Sequence, residues 1–449
     1  MERLSATEAR LLDIEDRSGV HMHVGCALLF DGAAPTLERF TEHVRSRLHL
    51  APRYRRRILS VPSCLGSPVW IDDPQFELGY HVRETALPGG GDQSQLWRLI
   101  GALLSQRLDR GKPLWELTLV GALAGERFAI IGKSHAALVD GERNGDLLSV
   151  LLDDRAEPPS PGHPPIWDAA PVPTRAQLLL GALAQRSRDP GTPLRAVQTI
   201  ASLARAQFEQ RERLPFDSPG SPPATLLNRP VGLQRRYAGV EVGLGRLRRE
   251  RERLGGTVND AVLTAVAGAL GRYLRLHGED TDGLVLRALV PLADAASPAL
   301  LASYVPLPVG ITDPRRRHAE ISRALDGLRS SGRVRAAREL IERDGFAAPT
   351  LIAQAARLQT RERAFNVVIT NVPGPGSPRF LLGHRLRCIL PATPLALNQS
   401  LSVAAVSHRG RLHFGLLADS AALGELETLA GMLEESLSEL HKGARGKRT

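Results

Sequence analysis

Cysteine is scarce in this chain of 449 residues: Cys26, Cys64 and Cys388 stand far apart, with no CxxC pair. That spacing offers neither a zinc site nor a disulfide framework, so three reduced, buried thiols are expected. Long apolar runs are also lacking. A stretch such as Ala261–Leu270 is far too short to span a bilayer. The first residues, Met1 to Arg17, mix charges with apolar side chains and lack a signal-peptide core. A cytoplasmic protein is therefore expected, free in solution or bound at a membrane periphery. Lysine is nearly absent. Only Lys112, Lys133, Lys442 and Lys447 occur, so arginine makes up 54 of the 58 basic residues behind a net charge of +10. The arginines are scattered, as in Arg53–Arg57, Arg246–Arg253 and Arg315–Arg317. A nucleic-acid surface needs one clustered basic face with a known motif, and neither is present. Arg53–Arg57 reads as a solvated face. A basic chain can still rest on anionic lipid head groups.

What is present is ample apolar material. Hydrophobic residues make up 43% of the chain, enough for buried cores, and the length suggests two or three domains. In residues 1–154 strand and helix patterns alternate. Val24–Phe30 reads as a strand ending at Asp31-Gly32, and Leu37–Leu48 has helical spacing. Gln93–Leu108 reads as a helix. Trp115–Leu123 and Arg127–Gly132 read as buried strands around Ala124-Gly125-Glu126, and Gly145–Leu152 as the start of a helix. Residues 155–223 are proline-rich, with helical patterns at Arg175–Gln185 and Leu194–Arg213. They read as a crossover whose helices pack across two domains. Residues 224–449 alternate again: a helix over Ala261–Leu274 that Thr257 or Asn259 caps, strands at Leu284–Pro291, Tyr304–Ile311, Asn366–Thr370, Ser400–Val406 and Leu412–Leu417, a broken helix over Arg335–Thr360, and a closing helix at Leu423–Leu440. The fold class is α/β or α+β.

The stretch Lys133-Ser134-His135-Ala136-Ala137-Leu138-Val139-Asp140-Gly141 is the candidate for chemistry. A histidine four residues before an aspartate, at a strand end and before a glycine, suits a general base that takes a proton from an alcohol. The aspartate braces the local backbone or a partner arginine, and the glycine lets the chain turn. Here the residue four before Asp140 is Ala136, which accepts no proton. His135 is one position off, and neighbours in an extended chain face opposite ways. The residues favour a satisfied histidine at 135.

This stretch resembles the His-His-x-x-x-Asp-Gly signature of the bacterial wax ester synthase/diacylglycerol acyltransferase family, with Ala136 at its second histidine. Other blocks in order are similar to that family: Arg3-Leu4-Ser5, Met22-His23-Val24-Gly25, Pro68–Asp73 with Tyr80–Arg83, Leu108–Glu116 around Pro113-Leu114-Trp115, Thr257–Asp260, Asn371-Val372-Pro373-Gly374-Pro375, and Arg411–Leu416. The resemblance implies two chloramphenicol-acetyltransferase-like domains, 1–154 and 224–449, joined by the crossover, with a substrate tunnel between them. Acyl-CoA enters from one side as co-substrate and diacylglycerol or a long-chain alcohol from the other. The product is triacylglycerol or a wax ester, and neither metal nor further cofactor is needed. His135 and Asp140 then occupy the catalytic signature, and Gly141, Asn259 and Asp260 support its centre. Pro113, Leu114 and Trp115 shape the tunnel. The resemblance also places the protein at the inner membrane or lipid inclusions when it is not free in the cytoplasm.

The chain departs from the family pattern at Ala136, at Ser297–Leu301 before Val305-Pro306-Leu307-Pro308, and at Ser402, where an asparagine is usual. Taken alone, three of the blocks have plain structural readings: Trp115 as a core aromatic, Asn371–Pro375 as a tight turn and Asn259 as a helix cap. Three functional expectations follow. One is an acyltransferase with impaired or rerouted catalysis, its residual rate coming from positioning and electrostatics or from another histidine such as His23 or His81. The second is a non-catalytic member that binds acyl chains or partners an active paralogue. The third is an acyltransferase for a specialised acceptor such as a polyketide or a peptidyl group, which gains nothing from Ala136.

Overall fold

A computed structural model describes residues 2–18, 20–62, 66–139, 146–158, 165–188, 222–293, 300–330, 352–354, 356–357 and 365–443. The strands, in chain order, are β1 (Glu2–Arg3), β2 (His23–Asp31), β3 (Arg56–Leu59), β4 (Val69–Asp72), β5 (Val82–Ala86), β6 (Trp115–Leu123), β7 (Arg127–His135), β8 (Arg235–Gly243), β9 (Leu286–Ala293), β10 (Leu300–Leu307), β11 (Val367–Pro373), β12 (Phe380–Leu381), β13 (His384–Ala392), β14 (Leu401–His408) and β15 (Arg411–Asp419). They form a six-stranded sheet in the order β12-β13-β2-β7-β6-β5, a second in the order β10-β9-β11-β14-β15-β8, and a small sheet β1-β4-β3. Helices cover both large sheets, as the α/β expectation requires.

Chain order and sheet membership part company at one place. β13 lies in the second segment of the sequence yet pairs antiparallel with β2, from Leu386 opposite Phe30 to Ala392 opposite Gly25. The first sheet is therefore completed by the C-terminal half, which locks the two halves together. A second lock is the helix Gln93–Ser105, whose N-terminus carries a capping box of Asp92 and Gln95. Its Leu96, Ile100 and Leu104 pack in one apolar cluster with Ala27, Leu29 and Ile131 of the first sheet and with Tyr237 and Leu417 of the second. Gly101 permits the approach: a Cβ there would sit 2.9 Å from the Arg235 carbonyl oxygen. The Arg235 amide donates to Ser105 Oγ at 2.8 Å.

The second half is built around the helix Val258–Leu276, which is buried on nearly every side between its sheet and the helices Pro314–Ser330 and Leu426–Gly443. Its apolar composition all round is that of a core helix. Thr257 is its N-cap and accepts from the Asp260 amide; Asn259 lies inside the first turn.

Several expectations shift. β7 continues three residues past Gly132, so His135 ends a strand. The helix expected at Gly145–Leu152 is only Leu147–Val150. The strand expected at Tyr304–Ile311 is Leu300–Leu307, an edge strand that tolerates Pro306 and stops before Pro308. Asn371-Val372-Pro373 is strand, not turn: Pro373 pairs in parallel with Ser407. Gly374 serves close approach there, because a Cβ would lie 2.0 Å from the Ser407 carbonyl oxygen. Arg53–Arg57 is not a solvated face. Arg53 is buried, 2.7 Å from Glu2 and 3.0 Å from Glu8, with its guanidinium over the Trp70 ring. Arg55 is buried over Trp167. The helix Arg175–Arg188 seats Leu178 and Ala182 on Val61, Val69 and Ile71 of the first half. Leu194–Arg213, Cys64 and nearly all of Arg335–Thr360 lie outside the described residues.

Candidate active site

β7 delivers the signature, and its partner β2 fixes the end of the strand. His23 pairs with His135. The His135 amide donates to the Leu114 carbonyl at 3.0 Å, and the Ala136 amide to the Met22 carbonyl at 2.8 Å. Beyond Ala136 the chain turns. Ala136, Ala137, Leu138 and Val139 are all buried in the apolar cluster of the first half, with Met22, Val24, Leu114 and Trp115.

His135 belongs to a polar cluster that the helix Ala6–Ser18 completes. Its Nε2 lies 2.8 Å from Glu15 Oε2, and its Nδ1 accepts the Ala137 amide at 3.0 Å. The amide can only donate, so Nδ1 is the bare nitrogen and Nε2 carries the proton. Burial pushes the His135 pKa down, against the pull of Glu15, and keeps the ring neutral. Burial also acts to raise the Glu15 pKa, but the His135 hydrogen bond and the charges around it prevail and hold the carboxyl far below its usual range. Arg110, 3.0 Å from Glu15 Oε2, balances that charge. His135 thus has its lone pair and its proton both committed to structure.

His21 and His23 are buried beside the same carboxylate, with His21 Nδ1 3.7 Å and His23 Nε2 3.6 Å from Glu15 Oε1. Burial drives the His23 pKa well down. Glu15, His21 and His23 hold donor atoms close enough for a metal ion. Their rings, however, are stacked nearly parallel, 8° apart. Imidazole lone pairs lie in the ring plane, so a face-to-face pair does not converge on one ion. A second such group, Glu241, Cys388 and His413, joins β8, β13 and β15. Burial pushes its thiol pKa up and its imidazole down to about 4, which leaves both neutral and the sulfur unreactive.

The other expected site residues fall in several places. Asp140 and Gly141 lie outside the described residues. Pro113, Leu114 and Trp115 are buried. Trp115 donates from Nε1 to the Tyr54 carbonyl at 2.6 Å and stacks on His81 at 4.5 Å. His81 Nδ1 lies 2.8 Å from the Trp115 carbonyl oxygen, which can only accept, so that nitrogen carries a proton. Asn259 accepts from Asn371 Nδ2 at 3.4 Å, which brings two of the sequence blocks together. Asp260 is buried and pairs with Arg329 at 2.5 Å, with Ser322 donating at 2.9 Å. Its burial would raise its pKa, but Arg329 and its hydrogen bonds lower it on balance. Ser402 donates to the Thr393 carbonyl at 2.7 Å.

Two further groups at the signature went unread in the sequence. Arg357, from the second half, donates to the Ala136 carbonyl at 3.3 Å and to the Val139 carbonyl at 2.7 Å. One guanidinium therefore clamps both ends of the turn. Asp146, just past the signature, is buried, caps the helix Leu147–Val150 and accepts the Tyr54 hydroxyl at 3.0 Å. Burial raises its pKa to about 6, against the hydrogen bonds that stabilise its charge. The cap pattern Asp146-Leu-Leu-Ser149 was its sequence signal. Arg357 had none, being one arginine among many.

Two mixed six-stranded sheets, with the signature strand inside the first, are also the architecture of solved condensation domains. The first condensation domain of the calcium-dependent antibiotic synthetase shares the fold, with a TM-score of 0.56 at 16% identity over 99% of this chain and 96% of that one. The wax ester synthase/diacylglycerol acyltransferase of Marinobacter aquaeolei VT8 superposes with a TM-score of 0.70 at 26% identity, over 98% of this chain and 99% of that one. The wax ester synthase/diacylglycerol acyltransferase catalytic domain matches residues 4–262, and the C-terminal domain of the same family matches residues 301–441. A probable diacylglycerol O-acyltransferase of Mycobacterium tuberculosis, tgs1, is 31% identical over 98% of this chain and 96% of its own length. The chain belongs to the wax ester synthase/diacylglycerol acyltransferase family.

Proposed function

We propose that this protein is an acyl-CoA-dependent O-acyltransferase of neutral lipid synthesis, with catalysis weakened by Ala136. The observation that carries the proposal is the match of both family domains, in order, along nearly the whole chain. The acceptor is the hydroxyl of diacylglycerol or of a long-chain alcohol. Its oxygen attacks the thioester carbonyl, the C–S bond breaks, and the hydroxyl proton ends on the departing CoA sulfur. The ester product is triacylglycerol or a wax ester.

A histidine at position 136 would take the hydroxyl proton as attack begins. Ala136 cannot, and His135 is held by Glu15 and the Ala137 amide. General-base catalysis contributes about 10²–10⁴-fold. The remaining rate comes from positioning of two substrates in one tunnel between the halves. Pro113, Leu114 and Trp115 shape its wall, and Gly141, Asn259 and Asp260 support its centre. Acyl-CoA is a co-substrate, and no other cofactor takes part. No described helix is long and apolar enough to cross a membrane. Peripheral contact with the inner membrane or lipid inclusions gives access to lipid acceptors.

A second reading, a non-catalytic acyl-chain binder or partner of an active paralogue, draws on the engagement of His135. One comparison separates the two. The wild-type protein and Ala136→His are assayed with long-chain acyl-CoA and either diacylglycerol or a fatty alcohol. Turnover by the wild type above a no-enzyme control, with a gain of about a hundredfold or more in the variant, supports the acyltransferase. No turnover by either protein supports the binder.

A further inference from the structure

A cavity of about 390 Å³ opens on the outer helical layer of the second half, lined by Gly268, Arg272, Arg275, Thr312, Pro314, Arg317 and Glu439. None of these residues belongs to the signature strand or to the sheet that carries it. Three arginines and one glutamate are among its lining residues. Glu439 is already taken: Arg272 holds it with two contacts, 2.6 and 3.0 Å, and also donates to Ser436 at 2.6 Å.

Arg317 is the unusual member. It is 98% buried, since only 2% of its surface is exposed. Its Nε donates to the Thr264 carbonyl at 3.0 Å and its Nη1 to the Ile311 carbonyl at 2.7 Å. Its Nη2 has no hydrogen-bond partner, and neither has Nε of Arg272. Among the described residues no carboxylate lies within ion-pair distance of Arg317. An unpaired buried cation is costly unless an anion meets it. Gly268 makes room for that group: a Cβ there would lie 2.4 Å from Arg317 Nη2. A glycine inside a helix costs about 1 kcal/mol, so the opening is made at the expense of helix stability. Arg275 stands exposed at the mouth, held by Thr281 at 2.8 Å.

We infer that this cavity binds a phosphate group, with Arg317 as the buried anchor and Arg275 at the rim. Planar guanidiniums with free N–H groups match phosphate oxygens. The phosphate comes from a soluble phosphoester or from a phospholipid head group. Asp313, whose carboxylate caps the backbone amides of Arg315 and Arg316, and Glu439 are the acidic groups nearby, and they restrict the site to ligands that reach past them.

The test uses the full chain. Inorganic phosphate, glycerol 3-phosphate, and phosphatidylcholine vesicles with and without phosphatidic acid are titrated by calorimetry and co-sedimentation at fixed ionic strength. Saturable phosphate binding is expected, weakened about tenfold or more in Arg275→Gln, the loss of one charged hydrogen bond, and abolished in Gly268→Ala. Circular dichroism checks that Gly268→Ala folds, and Arg275→Gln, at an exposed site, decides the matter if it does not. Glycerol 3-phosphate binding without vesicle binding assigns a soluble ligand. Phosphatidic-acid-dependent vesicle binding that Arg275→Gln weakens and free phosphate displaces assigns a head group. Absence of saturable phosphate binding, or equal binding by wild type and Arg275→Gln, overturns the inference.

Discussion

Nε2 of His135 donates to the Glu15 carboxylate at 2.8 Å, across 120 residues of sequence. The contact pins the last residue of β7 to the first long helix and sets the turn that carries Ala136. His135 therefore shapes the signature, with its lone pair and its proton both engaged by structural partners.

The first expectation concerns that pair. Replacing Glu15 by Ala leaves the buried Nε2 proton of the neutral His135 without its acceptor, while Arg110 keeps Asp16, and should cost about 1–3 kcal/mol in urea unfolding. His135→Gln should lower any turnover by less than about tenfold, against the 10²–10⁴ that removal of a general base costs. A loss of a thousandfold in a variant that remains folded would make His135 the base after all.

Asp146 gives an expectation in pH. Its pKa is raised from 3.8 to about 6, with burial the largest cause. The folded state thus holds this proton more tightly than the unfolded one. The stabilisation is complete below about pH 4 and is lost as the pH rises through about 6. Asp146→Asn keeps an N-cap and removes the titration. The variant should match the wild type near pH 4 and exceed it in unfolding free energy by up to about 3 kcal/mol above pH 7. Denaturant midpoints at several pH values check the sign. A gap that does not change with pH would mean that Asp146 keeps an ordinary pKa.

Arg357 is expected to position the turn. Its guanidinium bonds the carbonyls of Ala136 and Val139, and a displacement of about 1 Å can cost a hundredfold in rate. In the Ala136→His background, Arg357→Gln should lower kcat by about tenfold or more and leave KM for acyl-CoA little changed, with Arg357→Lys restoring part of the rate. An equal fall in stability and activity across both variants would reduce Arg357 to a packing residue.

The sequence carried the local rules well. The turn at Ala124-Gly125-Glu126, the cap at Thr257 and the apolar helix after it follow from chemistry within a few residues. The two layered halves followed from alternating patterns, and the ordered blocks pointed to the family that both domain matches support. What escaped was non-local. Nothing near His384–Ala392 says that the strand will leave its own half to pair with β2. Arg53 looked solvated because its partners, Glu2, Glu8 and Trp70, lie in other segments. The strand period did warn that His135 and its neighbour face different surroundings, and that was enough to doubt the histidine. The identity of its partner, Glu15, required the fold.

Gly374 tests how closely the two motif strands of the second half must approach. It follows β11 at Pro373, and its missing Cβ leaves space for the Ser407 carbonyl, 2.0 Å from where that atom would be. The obstacle is backbone of the paired strand β14, so no side-chain rotation relieves it. Gly374→Ala should therefore cost about 1–3 kcal/mol or more, the usual penalty of overpacking. It should also disturb Asn371, three residues earlier, and through it the contact with Asn259 at 3.4 Å. Amide exchange on β11 and β14 should then rise together, while exchange in the β6–β7 hairpin stays unchanged. Unaltered stability in Gly374→Ala would show that the strand ends move apart freely and that the proline-glycine motif is not set by this contact.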